Sequence, residues 1–277
     1  MNRPHRLNRG PVVHSVVAAA VADPSRLQAW TVNPSGLTQL DVDPAELDLE
    51  AVADFAGLAE KIRHNGCRHQ LRMTFQLLNQ SGLEIQLFRD YAPHSLRRRQ
   101  RGLKSPLQRV DGLAEFIGRW SRGDPLRSLI RDVLLHEQAL MLMHAADTDR
   151  PQRCSRARPM RQPVPAPNGV LVVRTLTCDP RQVQQVLQTP PADLADIRRG
   201  RWTFVYHKTI EQLRMLEVEQ AVGHLLTVVD GRRSVDRMSE QLFGNSSETP
   251  ALMPLLDQLV AIGLLRWLDN ESPSRCT

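Results

Sequence analysis

The order of short runs between Trp202 and Leu268 constrains the fold more than any other feature of this chain. A β-type run, Trp202-Thr203-Phe204-Val205-Tyr206, comes first, and a second extended candidate follows at Leu213-Arg214-Met215-Leu216. A helical run then spans Val218 to Val229, where Val218, Val222, Leu225, Leu226 and Val229 recur at helical spacing and make one apolar stripe. Asp230-Gly231 stops it, because Gly accepts the left-handed conformation after a last helical turn. Ser234 to Leu242 reads as a short helix with Ser234 as its N-cap, and Asp236 suits the positive end of that helix. Pro250 and Pro254 each fit a first helical turn but not an interior, so the last helix starts at one of them and continues to Ile262. Its buried face is expected to be Leu255, Leu256, Leu259 and Ile262. Gly263 ends it, and Leu264 to Leu268 closes the stretch as a short apolar strand.

Strands, three helices and a closing strand are the order of a small winged-helix module. Gly169 to Leu176, rich in β-branched residues, is a further strand expected in the same sheet. Residues 147–168 are Arg, Pro, Ser and Gln with almost nothing apolar, the composition of a linker. Before them, periodicity gives a set of roughly six helices ending near Ala146. In Leu49 to His64 the residues Val52, Phe55, Leu58, Ala59 and Ile62 share a face, read as inward. Cys67 to Leu78 turns Leu71, Phe75 and Leu78 inward, and the run from Leu83 continues as a helix through Tyr91. The expected architecture is α+β: an α-helical bundle over residues 1–146, a linker over 147–168 and a winged-helix domain over 169–277. A chain of 277 residues is long enough for two such domains.

The charge balance is +6, and 33 of the 36 basic residues are Arg, Lys standing only at positions 61, 104 and 208. Such a surface favours bidentate contacts to carboxylate or phosphate. It suits nucleic acid, an acidic peptide or an acidic partner protein, and net charge does not choose between them. An arginine-rich genome would write ordinary surface charge in the same way. The four cysteines, Cys67, Cys154, Cys178 and Cys276, are far apart and lack C-x-x-C spacing, so neither a disulfide framework nor a zinc ribbon is indicated. The apolar run Val12 to Ala22 contains His14 and Ser15 and is too short to span a bilayer. With no signal peptide in view, the expectation is a soluble, cytoplasmic protein without a membrane contact.

Three places carry atoms capable of chemistry. His64, Cys67 and His69 offer three metal-capable groups in six residues. A polar turn between two helices that happens to contain them is the preferred reading, since no fourth ligand cluster is visible. His136-Glu137 and His144 lie on the last bundle helix without H-E-x-x-H spacing, although His136 and His144 can share a face. Arg97, Arg98, Arg99 and Arg101, with Lys104, are the densest charge run, either a solvated loop or a site for an acidic partner. No Ser/His/Asp signature, phosphate-cradling glycine loop or paired-carboxylate motif is present. The chain reads as having no catalytic residues, no metal and no cofactor of its own.

Two functions compete for the C-terminal module. A DNA-binding winged helix sets basic residues of a recognition helix into the major groove. Here the second helix has only Arg237, and Leu252 to Ile262 has no Lys or Arg at all, which makes nucleic acid a poor partner. A peptide binder instead offers an unpaired strand edge beside an apolar helix. Leu213, Arg214, Met215 and Leu216, next to Leu252, Leu256 and Leu259, suit that role.

Ala221, Leu225 and Leu226, followed by Asp230-Gly231-Arg232-Arg233-Ser234-Val235, resemble the PqqD-like domains that hold leader peptides of ribosomally made natural products. The resemblance covers about the last quarter of the chain. A helical domain fused to such a module is similar to the partner subunits of iron-dependent TIM-barrel oxygenases that modify cysteines in precursor peptides. Those of methanobactin and 3-thiaglutamate biosynthesis are examples. Phe55 to Tyr91, then Trp120 and His136-Glu137, has the character of the second group. The resemblance implies a non-catalytic subunit that binds the precursor peptide, while the iron sits in the partner enzyme. It also implies that the N-terminal bundle meets that enzyme, with Arg97, Arg98, Arg99 and Arg101 steering an acidic surface. Arg214 would then pair with an acidic leader residue. Two departures from the pattern are the segment Leu176 to Gly200 and the run before Val218.

Overall fold

The computed structural model describes residues 10–100, 105–146, 164–189, 193–245 and 247–268. Contacts divide the chain into two units, Met1–Leu134 and Leu135–Thr277. Together they make a mixed α+β chain, and no described helix is long and apolar enough to cross a membrane.

The first unit is helical. It contains α1 (Gly10–Ala22), α2 (Pro24–Val32), the single turn α3 (Ser35–Thr38), α4 (Leu49–His64), α5 (Arg72–Gln80), α6 (Glu84–Gln100), α7 (Pro106–Trp120) and the first part of α8 (Pro125–Ala145). Side chains satisfy the exposed N–H groups at several helix starts: Asp23 accepts from Ser25, Asp48 from Ala51, and Ser105 exchanges bonds with Gln108 in a capping box. Leu71, Phe75 and Leu78 are buried as expected. The helix expected from Cys67 starts only at Arg72, because the chain first takes a 3-10 turn at Asn65–Cys67.

The expected inward face of α4 is corrected. Val52 is buried, but Phe55, Leu58 and Ile62 are exposed, and the helix instead buries Ala56, Gly57, Glu60 and His64. One small residue, Gly57, sets the rotation. A Cβ at Gly57 would stand 2.8 Å from the backbone nitrogen of Arg89, so α6 lies closer than any side chain would permit. The polar residues carried inside are satisfied: Glu60 binds Arg63, and His64 Nδ1 lies 2.9 Å from the Glu60 carbonyl with its ring against Phe88 and Tyr91.

The second unit holds the end of α8, β1 (Val164–Pro167), β2 (Val170–Cys178), α9 (Pro180–Gln188), β3 (Arg199–Lys208), β4 (Leu213–Val218), α10 (Gln220–Val228), α11 (Val235–Phe243), α12 (Thr249–Ala261) and β5 (Leu265–Leu268). β2, β3 and β4 form an antiparallel meander with β3 in the middle. Its two faces follow the period-2 alternation of strands. Leu171, Val173, Val205, Leu216 and Val218 pack on one face with Leu225, Leu226, Val235, Met238, Leu252, Leu256 and Leu259 of α10, α11 and α12. Val172, Phe204, Tyr206 and Met215 pack on the other, against Leu135, Ala139 and Met143 of α8. β3 is therefore buried on both sides from Thr203 to His207. A Cβ at Gly223 would meet the Thr203 methyl at 2.3 Å, which is why α10 can sit so close to the sheet.

Several boundaries differ from expectation. The linker assigned to 147–168 ends early: Val164–Pro167 is a strand paired antiparallel with β5, Val164 opposite Leu268. Val164 and Ala166 are buried, and a two-stranded ribbon tolerates prolines that cannot donate to a ladder. Residues 147–163 lie outside the described residues. The boundary expected near Ala146 falls instead at Leu134/Leu135, because Ala139 and Met143 share a core with Leu176, Phe204 and Tyr206. Val218 belongs to β4, not to the helix after it. α12 begins at Thr249 with Pro250 in its first turn, and Pro254 lies inside the helix.

Candidate functional site

The sheet ends at β4. Among the described residues β4 pairs only with β3, through Leu213↔Lys208 to Val218↔Thr203, so its outer row of backbone N–H and C=O groups faces no strand. Such an edge is a template for an added strand.

The side chains around this edge differ from the expected groove. Leu252, Leu256 and Leu259 are interior: each is no more than 5% exposed and belongs to the core under the sheet. They cannot line an open groove without unpacking that core. Met215 is half-buried on the α8 face, and Leu216 is half-buried against the α10–α12 core, as alternation requires. Leu213, at 37%, and Ile262, at 53%, are the exposed apolar side chains at this end, joined by Ile210 in the β3–β4 turn. Ile262 was expected to be buried. It falls one residue past α12, where the chain turns at Gly263 with φ of 75°.

Arg214 is not a free rim charge. Its Nη2 donates to the Ile262 carbonyl at 2.8 Å and its Nε to His207 Nδ1 at 3.3 Å. His207 is fully buried and reaches the Asn168 carbonyl through Nε2, so the neutral ring donates there and accepts from Arg214. Asn168 in turn donates to the Gly263 carbonyl at 3.0 Å. This polar chain ties β4, the end of β3 and the end of α12 together, and so holds the helix end beside the strand edge. Burial lowers the His207 pKa, and the adjacent guanidinium lowers it further. Sequence reading missed the network because its members lie far apart; the one signal was a His at the end of an apolar strand run.

At the other end of β4, Glu217 accepts from Arg181 at 3.0 Å, and Arg181 also chelates Asp179. Burial alone would raise the Asp179 pKa, but the bonds from Arg181 outweigh it and leave the carboxylate low. Behind the sheet, His136 Nδ1 lies 2.8 Å from the Tyr206 hydroxyl. Burial holds His136 at a pKa of about 4 and pushes the Tyr206 phenol up. Both are buried, and the pair joins α8 to β3. His144 is exposed, whereas His136 is buried.

The remaining candidates are dispersed. His64 and Cys67 are buried while His69 is exposed, and among the described residues no group of three or more His, Cys, Asp or Glu side chains converges on a point. Arg97, Arg98 and Arg99 fall in the last turns of α6 with side chains outside the described set, and Arg101 lies outside the described residues. No protein-family model matches the chain, and no curated protein matches it.

Proposed function

We propose that this chain is a non-catalytic partner subunit. It would hold the leader of a ribosomal precursor peptide on its C-terminal module and present the peptide to a TIM-barrel multinuclear iron oxygenase. The reaction would be modification of a peptide cysteine, in natural-product biosynthesis of the 3-thiaglutamate type. The iron belongs to the enzyme in this reading, and this chain contributes binding. The observation that carries it is the open edge of β4 in a unit built as an antiparallel meander, three helices and a closing strand, the order of a winged-helix, PqqD-like domain. A leader added as a fourth strand would gain affinity from main-chain hydrogen bonds, with selectivity from alternate side chains. The DNA-binding alternative has less support: α12 has no basic residue, and α11 has only Arg237.

The test uses the full chain, the oxygenase and the precursor peptide encoded beside it. The expected result is a stable heterodimer and leader binding that protects β4 amides from hydrogen exchange. Leu213→Asp should weaken leader binding and leave the heterodimer intact. Sequence-preferring binding of duplex DNA at physiological salt, with no affinity for the leader, refutes the proposal.

A further inference from the structure

We propose that His207 and Arg214 form an acid-sensitive latch: a proton taken up by His207 frees Arg214, and the end of α12 loosens beside the edge of β4. The inference deepens the functional reading above and rests on it only for the leader that the edge would hold.

The latch follows from counting donors. His207 Nε2 lies against the Asn168 carbonyl, which can only accept. That bond fixes the ring proton on Nε2 and leaves Nδ1 as the acceptor. Arg214 Nε donates to Nδ1 at 3.3 Å, and a guanidinium has no acceptor to offer in return. A second proton on the ring sets N–H against N–H and cation against cation. The ring is fully buried, so water does not screen that contact. Arg214 is the group that can leave. It is half-buried on the edge strand, whereas His207 sits on the central strand between Leu171 and Arg214. Its Nη2 also holds the Ile262 carbonyl at 2.8 Å, so its departure releases the last turn of α12. Asn168 keeps its bond to the Gly263 carbonyl, which confines the loosening to the helix end.

The surroundings do not compensate. Among the described residues no carboxylate is placed to hold an imidazolium here. Asp257 of α12 accepts from Trp267, and Glu217 of β4 accepts from Arg181 at the far end of the strand. Glu211 in the β3–β4 turn, His224 of α10 and Arg266 of β5 are exposed. Lys208, next to the ring, gives Nζ to the Ala146 carbonyl. Burial and the guanidinium both oppose charge on the ring, so it titrates below its ordinary value of about 6.5. The folded state then binds fewer protons than the unfolded one. The latch is complete above the ordinary value and is lost as pH falls through the lowered one.

The experiment is NMR of the full-length chain from about pH 7.5 to 4.5. It reads the His207 ring nitrogens and the exchange of the Ile262 and Leu264 amides, both bonded within the end of α12, after correction for the intrinsic effect of pH on exchange. Circular dichroism controls the folding of His207→Gln and Arg214→Met. At neutral pH the ring should be the Nε2–H tautomer. On acidification the corrected exchange should quicken by about tenfold or more in the wild type. A Gln can donate to Asn168 and accept from Arg214 without titrating, so His207→Gln should stay level. Arg214→Met should exchange fast at both ends of the range, and its His207 should titrate higher than in the wild type. An Nδ1–H tautomer, a level wild-type profile, an equal rise in His207→Gln, or an unshifted His207 in Arg214→Met overturns the inference. None of these readings needs the leader. With the leader present, acid should weaken binding to the wild type more than to His207→Gln; no leader affinity at neutral pH overturns the functional reading and leaves the latch standing.

Discussion

His136 allows the coupling of burial to stability to be worked through. Its ring is 8% exposed and bonded to Tyr206, and burial holds its pKa at about 4 against a small opposing pull from Asp179. In the unfolded chain the same group titrates near its ordinary value of about 6.5. Between those values the unfolded state binds more protons, so stability rises with pH. The contribution is complete above the unfolded pKa and is lost as pH falls toward the folded one. Taken down to about pH 4.5, the loss is on the order of 2 kcal/mol. The assay is urea unfolding of the wild type and of His136→Gln from about pH 7.5 to 4.5. Gln can still bond Tyr206 but does not titrate. Asp179, also depressed, loses stability in the same direction but is present in both proteins, so the difference isolates the imidazole. The wild type should lose more stability on acidification than the variant does. Parallel losses in the two proteins would refute a neutral, desolvated His136.

Three further outcomes follow from the same geometry. Gly223→Ala should destabilise the second unit by about 1–3 kcal/mol in urea titrations, because its Cβ meets the Thr203 methyl at 2.3 Å and overpacking outweighs the helix propensity gained. Leu256→Ala, at a fully buried position, should cost about 2–5 kcal/mol of stability by thermal or urea unfolding, with any loss of peptide binding following from unfolding and not from a missing contact. Arg214→Met should cost about 1–3 kcal/mol by leaving the buried His207 Nδ1 without its donor, and amide exchange should quicken at the α12 end near Ile262.

Much of the second unit was legible because local chemistry and long-range packing agree there. Asp230 accepts from the N–H groups of Arg232 and Arg233, Ser234 caps α11, and Gly231 takes φ of 71°, all as local rules require. β1 was not legible. Val164-Pro165-Ala166-Pro167 has no alternation to detect, and its partner lies about a hundred residues further on, at Leu265–Leu268. The face of α4 was misread for a different reason. The helix carries two apolar stripes, and periodicity reports both without saying which is inward. The choice belongs to Gly57, whose missing side chain lets α6 approach, and to Glu60 and His64, whose burial is satisfied by Arg63 and by the Glu60 backbone carbonyl.

The open edge at β4 could be read from sequence, but the chemistry around it could not. Leu213, Arg214, Met215 and Leu216 were one strand in either view; their partners depend on a helix end 48 residues away in the chain. Once Arg214 is spent on Ile262 and His207, and Leu252, Leu256 and Leu259 on the core, few side chains remain to select a peptide. An added strand would then draw its affinity mainly from backbone bonds to β4, with Leu213, Ile262 and the Arg181–Glu217 pair as the side chains within reach of its two ends. Backbone bonding tolerates many sequences, so in the proposed complex selectivity would have to come from elsewhere. On the proposed function, a leader able to lie extended would matter more than a conserved leader sequence, and the choice of which cysteine is modified would pass to the enzyme.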